Sequence, residues 1–297
     1  MVQIDTLLGG WERLTAGYLL TGPAPALVET GSQTSVPALC RALDLLGIGP
    51  SDLASIVVTH IHLDHAGGVG DLVRSFPGAT VYVHEQGARH LADPSRLVAS
   101  AAQVYGPLLD SLYGRLEPTP AERIRVLRDG EELAIGPGRS LVAVDSPGHA
   151  KHHLGLHDSE SDILFVGDAV GVRLPDVGVL RPATPPPDFD LELAVRSLHR
   201  FAERSPSALA LAHYGVLPEA PPAALEEAES TLSAWATVAE RAWSAGEEVE
   251  EALELAFGGE LSAVDPAVRD KAETLSGIHS NAAGLRRWLS LRSGPRP

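Results

Sequence analysis

The chain reads as an α/β protein, more narrowly α+β, with a strand-and-helix body over residues 1–220 and a helical extension over residues 221–297. Two observations lead there. Up to about residue 215, short apolar runs rich in β-branched residues alternate with turns and with stretches of helical period. Past VLPEAPPA the chain turns to Ala, Leu and Glu at helical spacing, as in ALEEAESTLSAWATVAERAW, and no internal repeat is visible.

Taken in order, VQIDTLL, TAGYLLTG and APALVETG are expected strands parted by Gly and Pro turns. SVPALCRALDLLG follows as an amphipathic helix closed by Gly47 and Gly49. LASIVVTH is a continuous apolar strand ending at Thr59 and His60, and TVYVHE is another. A helical, loop-rich stretch covers about 85–115, after which RIRVL, SLVAVDSPGH, HHLGLHD and DILFVGDA read as strands. ATPPPDFD is a proline-stiffened connector, with Asp190 placed to cap the helix LELAVRSLHRFAER, and ALALAHYG is the last strand. Trp235, Trp243 and Trp288 read as packing anchors of the C-terminal helices, which would serve as a lid or a dimer surface. The closing RSGPRP is expected to fray.

Composition narrows the function. With 44% hydrophobic residues among 297, the chain can bury a sizeable core. Its single cysteine, Cys40, reads as a small buried hydrophobe on a helix; it excludes an intrachain disulfide and a four-cysteine zinc site. Any metal must therefore sit among nitrogen and oxygen ligands. A formal net charge of −16 counts against nucleic acid as a partner but leaves room for a small, even anionic, substrate, because divalent ions reverse the local field. No basic n-region leads into an apolar stretch, and no run approaches the ~18 apolar residues that span a bilayer. A cytoplasmic protein with no membrane partner is expected.

The chemistry gathers where strands end: THIHLDH at 59–65, SPGHAKHH at 146–153, FVGDAV at 165–170, LAHYG at 211–215, and LVETG at 27–31. In the first of these, a buried strand runs into His60, His62, Asp64 and His65, followed by Gly67 and Gly68. Each imidazole costs desolvation unless paired, and the carboxylate costs more, so the cluster has no purely structural use. The β-branched run before it argues for a strand-to-loop transition, in which His60 and His62 converge on one point while Asp64 and His65 turn toward another. The two glycines would let the backbone turn tightly behind them. Two histidines leave a catalytic zinc one protein ligand short, and His149 could be the third. His213 could join Asp64 and His65 at a second ion, and Asp168, with two oxygens, could bridge both.

His-x-His-x-Asp-His, a downstream Pro-Gly-His, a Gly-Asp and a late His, in this order, resemble the metallo-β-lactamase superfamily, in its glyoxalase II and lactonase-like branch. The resemblance implies a four-layer αββα sandwich of two mixed β-sheets. It also implies His60, His62 and His149 on one metal, Asp64, His65 and His213 on another, and Asp168 bridging. His153 would support the ligands, and Glu29, where the family often has Asp, would orient a ligand histidine or close a loop.

The activity expected is that of a binuclear metal-dependent hydrolase, most readily of an ester, thioester or lactone. Two divalent ions, Zn²⁺ with Fe or Mn as alternatives, would bridge a water, lower its pKa toward neutrality and let the hydroxide attack a carbonyl. Asp64 is the candidate catalytic residue, orienting that hydroxide and passing its proton to the leaving group. Exported zinc β-lactamases often place Cys where this chain has Asp168, glutathione thioesterases carry a basic C-terminal pattern not matched by Arg286 and Arg287, and lactonases have a tyrosine soon after the bridging Asp that DAVGVRLPD lacks. Two alternatives remain open: a mononuclear-iron persulfide dioxygenase on the same scaffold, and a non-catalytic metal-binding protein. Tyr214 and His279 are candidate substrate contacts, Asn281 a polar interruption of the helical region, and His84 a strand-end cap or cleft residue. His90, His157 and His199 are expected on surfaces or helices.

Overall fold

The computed structural model describes residues 1–293, so the last four residues of the tail expected to fray lie outside the described residues. Two compact units emerge, one made of residues 1–145 with 152–166, the other of residues 146–151 with the chain from 167 on.

The first unit holds β1 (Val2–Asp5), β2 (Ala16–Leu20), β3 (Ala26–Val28), α1 (Val36–Leu45), β4 (Ser55–Val57), α2 (Leu63–Ala66), α3 (Val69–Ser75) and β5 (Thr80–Val83). It continues through α4 (Glu85–Ala92), α5 (Ser95–Tyr105), β6 (Ile124–Val126), β7 (Glu132–Gly136), β8 (Arg139–Asp145), β9 (Leu154–Asp158) and β10 (Ile163–Gly167). Strands β1 to β6 lie in sequence order; β1, β2 and β3 pair antiparallel, and β3 to β6 run parallel. Strands β3 and β4 are fully buried runs, as parallel strands covered on both faces must be. A second ladder, β7 to β10, is antiparallel in each pair. Tyr18 of β2 meets Phe165 of β10 with ring centroids 5.0 Å apart, both fully buried, so the two sheets share one core.

Each expected strand of this unit is present, and β7 is an addition. Its five residues ELAIG bury only Leu133 and Ile135, and Pro137-Gly138, with Gly138 at φ +73°, turns it back into β8. Cys40 is half-buried on α1 rather than buried, because the helix turns only Leu39 and Leu43 fully inward; partial burial pushes its thiol pKa up. An ion pair ties β8 to β9: Arg139 donates to both carboxylate oxygens of the fully buried Asp158, at 2.9 and 2.6 Å. Burial pushes the Asp158 carboxyl up, but Arg139, Ser161 and the Glu160 amide outweigh it and hold the group below its ordinary value.

The second unit holds the loop before and after His149, then α6 (Leu191–Glu203), β11 (Ala208–Leu211), β12 (Gly215–Val216), α7 (Pro221–Ala245), α8 (Val249–Phe257), α9 (Pro266–Ser276) and α10 (Ile278–Ser293). Asp190 caps α6 as expected, its carboxylate accepting from the Leu193 amide at 2.9 Å. Two indoles anchor the C-terminal helices: Trp235 stacks on Phe257 at 4.7 Å, and Trp288 meets Phe189 edge-on at 6.0 Å. Each buries roughly 200 Å² of largely apolar surface, worth about 5 kcal/mol before ordering entropy. Trp243 is only partly buried against the same cluster. Two β-sheets with flanking helices and a C-terminal helical extension make the fold the α/β class expected. Among the described residues no helix is long and apolar enough to cross a membrane.

Candidate metal centre

In the first unit, the ligand-type residues cluster at the C-terminal ends of adjacent parallel strands. Val28 of β3 pairs with Val57 of β4, which sets Glu29 beside Thr59 and the His60 loop. Glu29, 3% exposed and at φ +66°, accepts the Thr59 amide at 3.0 Å through one carboxylate oxygen. Its other oxygen accepts from His65 Nδ1 at 3.1 Å. Glu29 therefore ties the Thr59 backbone and the His65 ring together. Thr30 donates its amide and its hydroxyl to the His65 carbonyl, at 2.9 and 2.7 Å, fixing the backbone of α2 as well.

His60 lies with Nδ1 3.0 Å from the Thr59 hydroxyl and Nε2 3.0 Å from His62 Nδ1. The His60 and His65 rings sit 3.9 Å apart, and His65 Nε2 is 3.8 Å from an Asp64 oxygen. The expected loop holds only through His62: Leu63–Ala66 forms a helical turn, which carries Asp64 and brings the His65 ring back beside His60. Gly67 and Gly68 adopt ordinary helical φ values, −59° and −83°, so a tight turn is not what they supply. A Cβ on Gly67 would stand 2.9 Å from the Gln33 amide nitrogen, and close approach to that loop is the reason for glycine. His153, fully buried, lies 5.1 Å from the His60 ring.

In the second unit, Asp168 stands between two histidines. Its Oδ1 is 3.4 Å from His213 Nε2, and its Oδ2 is 3.5 Å from His149 Nε2. The His149 ring is set by Nδ1, which faces the Ala183 carbonyl at 3.0 Å and so carries the hydrogen, leaving Nε2 to act as a ligand. Gly148 precedes it at φ +136°, where a Cβ would lie 2.3 Å from the Ala194 backbone. A cavity opens beside His149 and Asp168, walled by Val170, Phe189, Ala194, Ala228 and Leu232.

These separations suit a divalent ion. Two nitrogens bound tetrahedrally to zinc at about 2.05 Å lie roughly 3.3 Å apart, close to the 3.0 to 3.8 Å seen within each half of the set. Imidazole and carboxylate are the donors a borderline ion prefers, and Asp168 sets one oxygen near each of two histidines.

The remaining candidates take these positions. His279 is 80% exposed on α10 and pairs with Glu250 at 3.0 Å, because a helix whose apolar face is taken by Trp288 turns this position to solvent. Tyr214 follows His213 across a cis peptide bond and is half-buried. His84 caps α4, accepting the Gln86 amide at 3.1 Å. His90 lies on α4 and His199 is exposed on α6, as expected. His157 instead is buried within β9 and bonds Asp162 at 2.8 Å. One histidine escaped sequence reasoning: His152 accepts the Ile61 amide at 3.4 Å and stacks 6.2 Å from His60, steadying the ligand loop. Its only signal was its place in HAKHH.

Residues 14–213 match the metallo-beta-lactamase superfamily. The chain belongs to that family. The metallo-beta-lactamase fold-containing protein ST1585 of Sulfurisphaera tokodaii is 32% identical over 166 residues, 54% of this chain and 60% of that protein. The acyl-coenzyme A thioesterase MBLAC2 of Gallus gallus is 34% identical over 143 residues, covering 46% of this chain and 50% of the thioesterase. The chain thus spans about half the length of the curated relatives it matches here. The solved structure of the archaeal superfamily protein ST1585 shares the fold, with a TM-score of 0.71 and 24% identity over 96% of this chain and 97% of that one.

Proposed function

We propose that this metallo-β-lactamase superfamily protein is a metal-dependent hydrolase of thioesters with an apolar acyl group. In this reading, as the family resemblance implies, His60, His62 and His149 would hold one ion and Asp64, His65 and His213 a second, with Asp168 available to both. The ions, when bound, would polarise the thioester carbonyl and lower the pKa of an attacking water. Asp64 would be placed to take a proton from that water and give it to the departing thiolate. Glu29 and Ala183 hold the His65 and His149 rings with Nδ1 protonated.

The observation that carries the substrate class is the apolar wall beside His149 and Asp168. Val170, Phe189, Ala194, Ala228 and Leu232 line the cavity there with apolar side chains, next to the backbone of Gly171, Pro182 and Ala183, and an acyl group would enter by widening it. The thioesterase relative points the same way. The test is a panel of acyl thioesters, lactones, phosphodiesters and β-lactams on metal-reconstituted protein, with Asp168→Ala as the blank. Thioester turnover above the blank is expected. Turnover of phosphodiesters or β-lactams alone would overturn the substrate class, and under one ion per chain after reconstitution would overturn the two-metal reading.

A further inference from the structure

The segment from Asp168 to Thr184 begins at one candidate ligand and touches the other two of its unit. At its start, the Asp168 carbonyl accepts the Gly171 amide at 3.0 Å. Arg173 then donates its amide to the His213 carbonyl at 2.7 Å. Val172 and Arg181 exchange two backbone bonds of 2.9 Å, folding the segment back on itself, and Ala183 presents its carbonyl to His149 Nδ1.

What holds this strap comes from the C-terminal helices. Arg181, 2% exposed, donates to Glu260 at 3.2 Å, to Glu273 at 2.8 Å and to the Ser276 carbonyl at 3.3 Å. The Ser276 hydroxyl donates to the Pro182 carbonyl at 2.8 Å. Thr184 gives its amide and its hydroxyl to Asn281 Oδ1, both at 2.8 Å. Asn281 in turn is fixed by donating from Nδ2 to the Ser276 hydroxyl and the Gly277 carbonyl, each at 3.2 Å. Ala183 therefore sits between two clamped neighbours, Pro182 and Thr184, and its carbonyl cannot shift without breaking a buried bond.

We propose that Asn281 is a positioning residue, holding through Thr184 the Ala183 carbonyl that fixes the orientation and tautomer of the His149 ring. Its value for catalysis rests on the metal-hydrolase reading, but its effect on His149 does not and is readable in metal-free protein. Asn281→Leu removes the Oδ1 that accepts from both Thr184 donors, leaving the amide without an acceptor and the hydroxyl only the residue 281 backbone carbonyl at 3.1 Å; Thr184→Val removes the hydroxyl with little change of shape, and Thr184→Ser keeps both donors.

The experiment compares these full-length variants by imidazole ¹⁵N NMR without metal, the His149 signals being assigned by their loss in His149→Gln. In the wild type His149 is expected with its hydrogen on Nδ1. Asn281→Leu is expected to mix the tautomers and weaken Zn²⁺ affinity by about tenfold in competition with a chromogenic chelator, the lower end of what such supporting partners are worth. Thr184→Val should fall between, and Thr184→Ser should match the wild type. An unchanged His149 tautomer in both Asn281→Leu and Thr184→Val, whatever their melting temperatures, would overturn the proposal. If Asn281→Leu does not fold, Thr184→Val decides. Failure of the metal reading shows separately, as a wild type that takes up no Zn²⁺ while the tautomer shift persists.

Discussion

Replacing Glu29 by glutamine tests how the first unit prepares its ligands. The carboxylate accepts two hydrogen bonds, from the Thr59 amide at 3.0 Å and from His65 Nδ1 at 3.1 Å. An amide offers one acceptor and one donor group, so it satisfies one partner only. If its oxygen keeps Thr59, its NH₂ faces His65 Nδ1 and drives the ring hydrogen to Nε2, the atom beside Asp64 that a metal would take. If it flips, two donors meet at Thr59, and a buried amide is left unsatisfied. The lost bond is to a charged group and is worth about 1.5–3 kcal/mol. In affinity that is about 10- to 100-fold, in line with the effect of partners that orient metal-bound histidines. Glu29→Asp keeps both oxygens and relaxes a backbone at φ +66°, a region aspartate occupies more readily than glutamate, so its loss should be smaller. Zn²⁺ affinity measured against a chromogenic chelator, with melting of the apo-protein as a control for folding, gives the comparison. Equal affinity for wild type and Glu29→Gln, or an equal loss in both variants, would refute the tautomer argument.

Three further outcomes are expected. Arg139→Met leaves the buried Asp158 carboxylate without its main partner and should destabilise the protein by about 3 kcal/mol in denaturant titration. Since Asp158 is held below its ordinary pKa, its contribution is present above the unfolded value of about 3.9 and lost as pH falls through the lower folded value. The gap between wild type and variant should thus be widest near neutrality and narrow in acid. Gly148→Ala places a Cβ 2.3 Å from the Ala194 backbone at φ +136°, so it should lower both melting temperature and metal uptake, read by calorimetry and metal analysis. Ala228→Leu fills the wall beside His149 and should shift kcat/KM toward shorter acyl groups by about tenfold per excluded methylene, read on a chain-length series of thioesters.

Much of this was legible in the residues, and the exceptions have physical causes. Strands such as SIVV and ILFV announce themselves by unbroken β-branched and apolar runs, whereas ELAIG alternates with only two inward residues and β12 is two residues long. THIHLDH is readable because its side chains have no cheaper use than binding, yet the helical turn at Leu63–Ala66 depends on Thr30 gripping the His65 carbonyl from another strand's end. His157 misleads because its partner, Asp162, is local but its burial is tertiary. Arg181 gives no sign at all: an arginine in a loop rich in Pro and Gly looks solvated, and its two glutamates lie 79 and 92 residues away.

The strap's fastening also bears on how this family can diverge. The stretch matching the superfamily ends at residue 213, whereas Glu260, Glu273, Ser276 and Asn281 all lie beyond it. Under the role proposed for the strap, a lineage could change how His149 is held while every motif histidine and aspartate stays in place, by drift beyond the stretch that the family model matches. Two members with identical ligand sets need not then favour the same ion, and the place to look for the difference is the far end of the chain.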